Sequence, residues 1–475
     1  MYDVTVIGGG VVGALTAREL TRFRLKVCIL EKENDVAMGA SKANSGIVHA
    51  GFDAHPGSLK ARFNVAGNRM MKGLCQMLGV KYRRNGSLVI AFSDEDMKTL
   101  HALYERGLAN KVPELTILDK EQVHAMEPSL SDKVVGALFA PTGGIVCPYG
   151  LTIAAAGNAM DNGAELLTGF AVSSIDTHAD HYTLHAADGR SVESRFVVNS
   201  AGLFSDEVAS MVGDTSFHVH PRPGEYMILD KSSASLCDHT IFRTPTAMGK
   251  GILVSPTADG NLLLGPTSTD TTDKLDHSTT PEGLALIAEQ AFEDTPNVPL
   301  RSVITSFTGL RAVGDTGDFI IHFSASRFLT LGGIESPGLT SAPALAKHVV
   351  KLLQKAGLST ERNTSFNGRR KAYYKFSEMR PAQKNRIIRE NPDYGTIICR
   401  CEGITKGEII DAIRTNPPAR DLDGVKRRTR SGMGRCQGGF CSPVITGLIA
   451  KYADMPFEAV TKKGAGSELN FGKTK

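Results

Sequence analysis

Three absences narrow the possibilities for this 475-residue chain. It has no tryptophan, and no apolar run approaches the roughly 18 residues that a bilayer-spanning helix needs. No charged segment followed by an apolar stretch precedes the first strand pattern at 2–7, so no secretory signal is expected. These observations predict a cytoplasmic protein without a transmembrane segment, and they leave peripheral membrane association open.

The net charge of +4 is unevenly distributed along the chain. Residues 1–360 carry 31 basic and 38 acidic side chains, whereas residues 361–475 carry 23 and 12. A basic region can bind nucleic acid, but the repeated basic–aromatic stacking positions of such proteins are missing here. We therefore expect no nucleic-acid partner, and we interpret the basic part as a solvated linker or a surface that docks a protein.

The eight cysteines fall into two groups. Four are scattered through the first half of the chain, whereas the other four lie within residues 399–441. In a reducing cytoplasm, clustered thiols indicate a metal site rather than a disulfide framework.

A glycine-rich turn follows the first strand pattern. Gly8, Gly10 and Gly13 fit G-x-G-x-x-G between a strand and a helix, and Glu31 ends the next strand, 18 residues after Gly13. In a dinucleotide site these glycines allow the tight turn, the approach of the pyrophosphate and the packing of helix on strand. The helix N-terminus offers N–H donors to the anion, and Glu31 would accept hydrogen bonds from the adenosine ribose. The pattern alone fits FAD or NAD.

Three further segments follow in order along the chain: Gly39–Gly51, Val197–Gly202 and Leu331–Thr340. They resemble flavoproteins of the D-amino-acid oxidase type, a family that includes glycine and sarcosine oxidases, L-2-hydroxyglutarate oxidases and FAD-linked glycerol-3-phosphate dehydrogenases. The resemblance covers about residues 1–355 and implies FAD, with a positive helix N-terminus near the flavin N1–C2=O edge. The cofactor-binding residues expected from the turn and the resemblance are Gly8, Gly10, Gly13, Glu31, Ser41, Ser45, Gly46, Val172, Gly202, Gly333, Gly338, Leu339 and Thr340.

Hydride removal from an alcohol needs a general base and a cation for the anionic part of the substrate. His49, in the segment that the resemblance places beneath the flavin, is the candidate base; a histidine that only shapes the flavin site is the alternative. Arg311, after an apparent Gly-Leu turn, matches the position at which relatives grip a carboxylate or phosphate, with a surface ion pair as the alternative. Tyr226 and Lys250 are further substrate-binding candidates that surface positions would explain equally.

The clustered cysteines Cys399, Cys401, Cys436 and Cys441 form the pattern C-x-C…C-x4-C. Four thiolates suit a [2Fe–2S] cluster or a structural zinc. The glycines around Cys436 let backbone N–H groups approach sulfur, which tunes the potential of an iron–sulfur cluster. The stretch 395–450 resembles the bacterioferritin-associated-ferredoxin type of [2Fe–2S] domain, which implies a cluster at these cysteines; zinc is the alternative.

The predicted fold is α/β, with a discontinuous Rossmann-like FAD-binding domain, an inserted mixed-sheet substrate domain and a small α-rich [2Fe–2S] domain. The oxidoreductase region is predicted at 1–356, with FAD-binding segments at about 1–80, 145–215 and 310–356 and substrate-sheet segments at about 81–144 and 216–309. A basic linker is predicted at 357–394, the cluster domain at 395–450 and a C-terminal tail at 451–475.

A flavin accepts two electrons and a [2Fe–2S] centre carries one at a time, so their fusion implies an outlet such as a redox partner subunit or a quinone-linked acceptor. The combination resembles glycerol-3-phosphate dehydrogenases of the anaerobic type, which implies oxidation of a small anionic substrate, sn-glycerol 3-phosphate, to dihydroxyacetone phosphate. Segment Asn44–Gly51 looks closer to L-2-hydroxyglutarate oxidases, so a 2-hydroxy acid is the second candidate and an amino acid or opine the third. An iron–sulfur assembly or delivery protein is the non-enzymatic alternative.

Overall fold

The computed structural model describes residues 1–245 and 251–472. Its helices are α1 Val11–Leu20, α2 Leu59–Leu78, α3 Asp94–Ala109, α4 Lys120–Met126, α5 Pro148–Asp161, α6 Ser205–Ser210, α7 Pro281–Asp294, α8 Gly338–Lys355, α9 Pro381–Glu390, α10 Lys406–Arg414, α11 Leu422–Thr429 and α12 Ser442–Tyr452. Its strands are β1 Tyr2–Ile7, β2 Val27–Leu30, β3 Ile47–Val48, β4 Tyr82–Arg83, β5 Ser87–Ala91, β6 Thr116–Asp119, β7 Gly136–Ala140, β8 Gly144–Val146, β9 Glu165–Leu167, β10 Val172–Thr177, β11 Tyr182–Ala186, β12 Ser191–Asn199, β13 Val219–Leu229, β14 Thr240–Arg243, β15 Leu253–Pro256, β16 Leu262–Gly265, β17 Val303–Gly314, β18 Ile320–Ala325, β19 Phe328–Gly332, β20 Ile397–Cys399 and β21 Ile404–Thr405. No helix within these two ranges is both long enough and apolar enough to cross a membrane.

The first sheet contains five neighbouring parallel strands in the order β9-β2-β1-β12-β19, with antiparallel strands β11 and β10 beside β12 and β18 beside β19. Its parallel strands are apolar because helices cover them, as such sheets require. Helices α5 and α8 both pack on α1, and the shared core includes Val4, Val6, Leu20, Ile29, Val198, Leu329, Val349 and Leu353. The predicted Rossmann-like domain assembled from separated segments is confirmed.

The carboxyl ends of four parallel strands meet at one edge of this sheet. The residues that follow β1, β2, β12 and β19 are Gly8, Glu31, Ser200 and Gly333. Ligands of open α/β sheets bind in the crevice outside this edge. The segments singled out in the sequence therefore converge on one place.

The second sheet has the order β17-β13-β16-β15-β14-β5-β7-β6 and is antiparallel except for the pair β14–β5. Strands β13 and β17 form a long ladder at its edge, in which Arg222 pairs with Arg311 and Tyr226 with Phe307. The core on this sheet includes Leu88, Ile90, Leu138, Ile241, Val254, Leu264 and Ile287. The predicted mixed sheet is therefore present.

The expected turn before Arg311 is wrong, because Gly309 and Leu310 lie inside β17. Gly309 pairs with Gly224 of β13. A Cβ at Gly309 would overlap the carbonyl oxygen of Ala43 in the loop after β2. The glycine is required for the close approach of two backbones, which is one of the features that a glycine inside a strand can mark.

The segment 357–394, which the sequence marks as a basic linker, contains α9 and a small core of Phe376, Ile387 and Tyr394. Its first part follows α1 and α5: Arg18 Nη2 donates to the Gly368 carbonyl at 2.9 Å, and Arg370 Nη1 donates to the Ile153 carbonyl at 3.2 Å. This segment is packed along the cofactor domain instead of spanning free solvent.

The C-terminal module combines the antiparallel pair β20–β21 with α10, α11 and α12. Its core contains two of the clustered cysteines, Cys399 and Cys441, together with Ile409, Val425 and Ile449. The predicted small α-rich domain is confirmed.

Candidate active site

A cavity of 1570 Å³ lies at the carboxyl edge of the first sheet and extends to the β13–β17 ladder. Pockets that hold one drug-sized ligand measure about 300–1,000 Å³. The cavity therefore has room for a dinucleotide and a small substrate together. Its lining includes the predicted residues Gly8, Gly10, Glu31, Ser41, Ser45, His49, Val172, Gly202, Tyr226, Arg311, Gly338 and Leu339.

The glycine turn fits a pyrophosphate. A Cβ at Gly8, whose φ is +101°, would lie 2.5 Å from the Ser200 carbonyl oxygen, and a Cβ at Gly13 would overlap the Gly8 carbonyl oxygen. Gly10 begins α1 without a side-chain cap, and the Val11 N–H donates to Ser41 Oγ at 2.9 Å. The helix N-terminus thus faces the cavity with backbone donors and a hydroxyl, as anion binding requires.

Glu31 is held by two backbone donors. Gly9 N–H donates to Oε2 at 2.7 Å and Glu33 N–H donates to Oε1 at 2.9 Å. Burial raises the pKa of Glu31 to about 7, although both N–H groups oppose this shift. The carboxyl group is fixed at the cavity wall, where a ribose hydroxyl can reach it.

The remaining predicted cofactor residues support the cavity from behind. A Cβ at Gly46, with φ +68°, would lie 2.5 Å from the Val146 carbonyl oxygen, and a Cβ at Gly333 would lie 3.2 Å from Gly314 Cα. Thr340 is fully buried in the first turn of α8. Gly46 and Gly333, like Gly13, permit close backbone approaches that a Cβ would block.

His49 is fixed through its backbone. Its N–H donates to Thr340 Oγ1 at 2.9 Å, and its carbonyl accepts from Asn64 Nδ2 at 2.9 Å and Asn68 Nδ2 at 3.0 Å. Its Nε2 lies 3.4 Å from Ser336 Oγ. Neither asparagine was predicted from the sequence. Their spacing of four residues places them on the same face of α2.

Arg311 and Tyr226 lie together on the β13–β17 ladder. Arg311 Nη2 donates to the Thr267 carbonyl at 3.0 Å, and Nη1 lies 3.4 Å from the Pro223 carbonyl. Burial raises the pKa of Tyr226, although contact with the Arg311 guanidinium opposes this shift, and the Tyr226 ring stacks on Phe307 at 4.8 Å.

In the described ranges Arg311 has no carboxylate partner, whereas Arg222 opposite it is paired with Asp270 at 2.7 Å. The positive charge of Arg311 is therefore available to an anion in the cavity. Lys250, the other predicted substrate cation, lies outside the described residues.

The clustered cysteines are arranged as two pairs. Cys401 Sγ lies 3.6 Å from Cys436 Sγ, and the Cys399 and Cys441 thiols contact each other. Two thiolates at tetrahedral angles about 2.3 Å from one metal would be about 3.8 Å apart. Across residues 1–245 and 251–472 no three His, Cys, Asp or Glu side chains are grouped to hold a single ion. Pairs suit a [2Fe–2S] cluster, because each of its two irons takes two protein ligands.

The loop around Cys436 is shaped for sulfur. The backbone N–H of Gly438, with those of Phe440 and Gly439, lowers the pKa of the Cys436 thiol. A Cβ at Gly434 would overlap Cys401 Cβ, so this glycine allows the two cysteine loops to meet. Hydrogen bonds from backbone N–H groups to sulfur tune a cluster.

Comparisons with known proteins agree with these two sites. A family model described as FAD dependent oxidoreductase matches residues 3–352, and one described as BFD-like [2Fe-2S] binding domain matches residues 397–451. A glycerol 3-phosphate dehydrogenase of Caloramator mitchellensis is 45% identical over 477 residues, 100% of this chain and 99% of that protein. The L-2-hydroxyglutarate dehydrogenase of Escherichia coli strain K12 is 32% identical over 271 residues, 56% of this chain and 64% of that protein.

Among solved structures, dithionite-reduced L-alpha-glycerophosphate oxidase from Mycoplasma pneumoniae with FAD bound has a TM-score of 0.74 and 29% identity, covering 78% of this chain and 98% of that chain. These findings confirm the predicted combination of an FAD-dependent oxidoreductase region with a [2Fe–2S]-binding domain.

Proposed function

Because this chain belongs to the family of FAD-dependent oxidoreductases, we propose that it oxidises sn-glycerol 3-phosphate to dihydroxyacetone phosphate and passes the electrons through its [2Fe–2S] cluster to a separate acceptor. The acceptor would be a partner subunit or a quinone-linked protein, and we place the enzyme in the cytoplasm. Full-length similarity to a glycerol 3-phosphate dehydrogenase supports the substrate.

The observation that carries this proposal is the guanidinium of Arg311, which lines the cavity without a carboxylate partner in the described chain. Its planar fork suits bidentate binding of a phosphate. A substrate phosphate held there would be fixed against the β13–β17 ladder, with Tyr226 beside it. The carbon chain of the substrate would then extend toward His49.

The reaction removes a hydride from the substrate carbon and a proton from its hydroxyl. FAD, when bound, supplies the acceptor for the hydride. We assign the proton to the His49 imidazole, since histidine exchanges protons near neutral pH. Thr340 and the two asparagines of α2 hold the backbone of His49, so the Cα from which the imidazole ring extends is fixed in position.

A continuous line of contacts supports electron transfer from the cavity to the cysteine module. Val146 N–H donates to the Gly46 carbonyl at 2.8 Å, directly behind the cavity wall formed by Ser45 and Ile47. Three residues further on, Tyr149 Oη lies 3.6 Å from Met433 Sδ. Met433 precedes Gly434, which touches Cys401. Electrons leaving the flavin would therefore have a path through contacting residues to the cysteine module.

The substrate is tested by anaerobic bleaching of the bound flavin near 450 nm with glycerol 3-phosphate, L-2-hydroxyglutarate, L-lactate, proline and glycine. We expect bleaching by glycerol 3-phosphate. L-2-Hydroxyglutarate is the second candidate, favoured by segment Asn44–Gly51 and the similarity to the Escherichia coli enzyme. Bleaching by an amino acid alone would overturn both.

Arg311→Ala should lower kcat/KM for glycerol 3-phosphate by roughly 100-fold, because hydrogen bonding to a charged group is worth up to about 3 kcal/mol. Bound FAD should be retained. Arg222→Ala is the matched control on the opposite strand, since Asp270 already neutralises that charge. An unchanged kcat/KM in Arg311→Ala would show that Arg311 does not hold the substrate.

A further inference from the structure

We propose that the turn 461–467 of the C-terminal tail closes the FAD site, and that Lys463 binds the diphosphate of FAD together with Lys42. The inference concerns cofactor retention and holds whichever substrate the enzyme oxidises. It makes the [2Fe–2S] module a structural part of the flavin site.

The placement of the turn is the first observation. Lys463 and Ala465 line the large cavity, as do Gly10, Ser41 and Lys42 at the N-terminus of α1. Lys463 is close enough to Lys42 for its charge to lower the pKa of that ammonium, and the neighbouring Ser41 Oγ accepts from the Val11 N–H at the start of α1. Lys463 thus comes from the end of the chain to the part of the cavity where the pyrophosphate is expected. Nothing in the local sequence of the tail indicates such a position.

The turn is built and anchored. Lys462 N–H donates to the Ser467 carbonyl at 2.8 Å and Gly464 N–H donates to Thr461 Oγ1 at 2.9 Å, so the turn is closed on itself. Asp423 N–H, in the first turn of α11, donates to the Lys462 carbonyl at 2.9 Å. A Cβ at Gly464 would lie 2.8 Å from Asn34 Cγ. The turn is therefore held between the cysteine module and the loop after β2.

The same loop belongs to the FAD site. Glu31 precedes it, and within it Ala37 N–H donates to the Gly9 carbonyl at 3.0 Å. Asp35 lies between these points and is ion-paired to Arg428 at 2.8 Å and Arg427 at 2.6 Å, both on α11. One short loop thus touches the glycine turn on one side and the cysteine module on the other.

The charges at this rim suit an anion. Burial lowers the pKa of Lys42, and the positive charges of Arg427 and Lys463 lower it further, while Asp423 and Glu33 oppose this effect. Burial also lowers the pKa of His277, with added effects of Lys42 and Lys463. Within the described residues neither lysine has a carboxylate within ion-pair distance. The two positive charges therefore disfavour each other, and a bound group with two negative charges, such as the FAD diphosphate, would offset this repulsion.

The test compares Lys463→Ala with Lys462→Ala, its neighbour on the same turn, whose ammonium is paired with Asp423 at 2.9 Å and is 53% exposed. Holoprotein is diluted into buffer, and FAD release is followed as the rise of flavin fluorescence. We expect Lys463→Ala to release FAD about three- to fivefold faster than the wild type, as befits an ammonium at an exposed rim. Lys462→Ala should release it at the wild-type rate.

Two further measurements make the result specific. Lys463→Arg should restore slow release, and raising the salt concentration should narrow the difference between Lys463→Ala and wild type, because ions screen an exposed contact. Hydrogen exchange of residues 461–467 should slow when FAD is bound. Equal release rates for the two alanine variants would overturn the proposal. So would a Lys463→Ala variant that changes the KM for substrate and leaves FAD release unaltered.

Discussion

Replacing Asp35 with Asn removes the carboxylate that joins the cysteine module to the loop after β2. Its oxygens accept from Arg428 Nη1 and Nη2 at 2.8 and 2.9 Å and from Arg427 Nη2 at 2.6 Å. The exposed fraction of the side chain is 7% for Asp35, 0% for Arg428 and 6% for Arg427. Asp35→Asn would therefore leave two buried guanidiniums without their counter-charge.

The size of the effect follows from this burial. Removing one partner of a buried ion pair costs about 3–5 kcal/mol, because the remaining charge stays desolvated. The pH dependence of stability gives a second value for the contribution of the Asp35 carboxylate. Burial would raise the pKa of Asp35, but the Arg428 and Arg427 guanidiniums hold it at about 2, below the ordinary 3.8. This difference is worth about 2 kcal/mol of stability, which is present above pH 3.8 and is lost as the pH falls through 2.

The assay is urea unfolding of the holoprotein at pH 7, with Asp423→Asn as control. Asp423 pairs with Lys462 at the surface of the same module, so its loss should cost less than about 1 kcal/mol. Asp35→Asn should cost at least 2 kcal/mol more, and proteolysis within 357–394 should become faster as the module detaches. Equal unfolding free energies for the two variants would show that the Asp35 ion pairs do not hold the cysteine module in place.

Two other substitutions test the cofactor cavity. The pKa of Glu31 is about 7 in the folded protein, against an ordinary 4.5. Its contribution to the free energy of unfolding is therefore present below pH 4.5 and falls by up to about 3 kcal/mol as the pH rises to 7. The FAD-free Glu31→Gln protein should lack that fall when it is unfolded across this pH range, and parallel stability curves for the variant and the wild type would contradict the prediction. Gly309→Ala should weaken FAD retention by about 1–3 kcal/mol, because its Cβ would overlap the Ala43 carbonyl oxygen. Gly73→Ala, which has open space on α2, should leave FAD retention unchanged. Flavin fluorescence measures the retention in both variants, and equal retention would contradict the close approach of Gly309 and Ala43.

Binding sites that are formed by one short segment of the chain could be predicted from the sequence. The glycine turn from Gly8 to Gly13 has one backbone conformation that serves a pyrophosphate, and the four clustered cysteines can be recognised by spacing alone. The strand at 2–7 and the helix after the glycine turn were also predicted, because their hydrophobic pattern reflects burial.

Residues whose role depends on distant partners could not be predicted. Gly309 looked like a turn because the sequence does not show that Ala43 approaches it. Asp35 and Arg428 are almost 400 positions apart, and each alone resembles an ordinary surface charge. Lys463 lies in a polar tail whose position is set by α11, so no local pattern marks it as part of the cavity.

The proposed electron path runs from the substrate to the flavin and then to the cluster. The direct measurement is anaerobic mixing of the holoprotein with glycerol 3-phosphate, following flavin absorbance and the electron paramagnetic resonance signal of a reduced [2Fe–2S] centre. If electrons take this path, flavin bleaching is followed by the cluster signal, and Cys436→Ser retains the bleaching and loses the signal. A fully bleached flavin beside a cluster that stays oxidised in the wild type would contradict it.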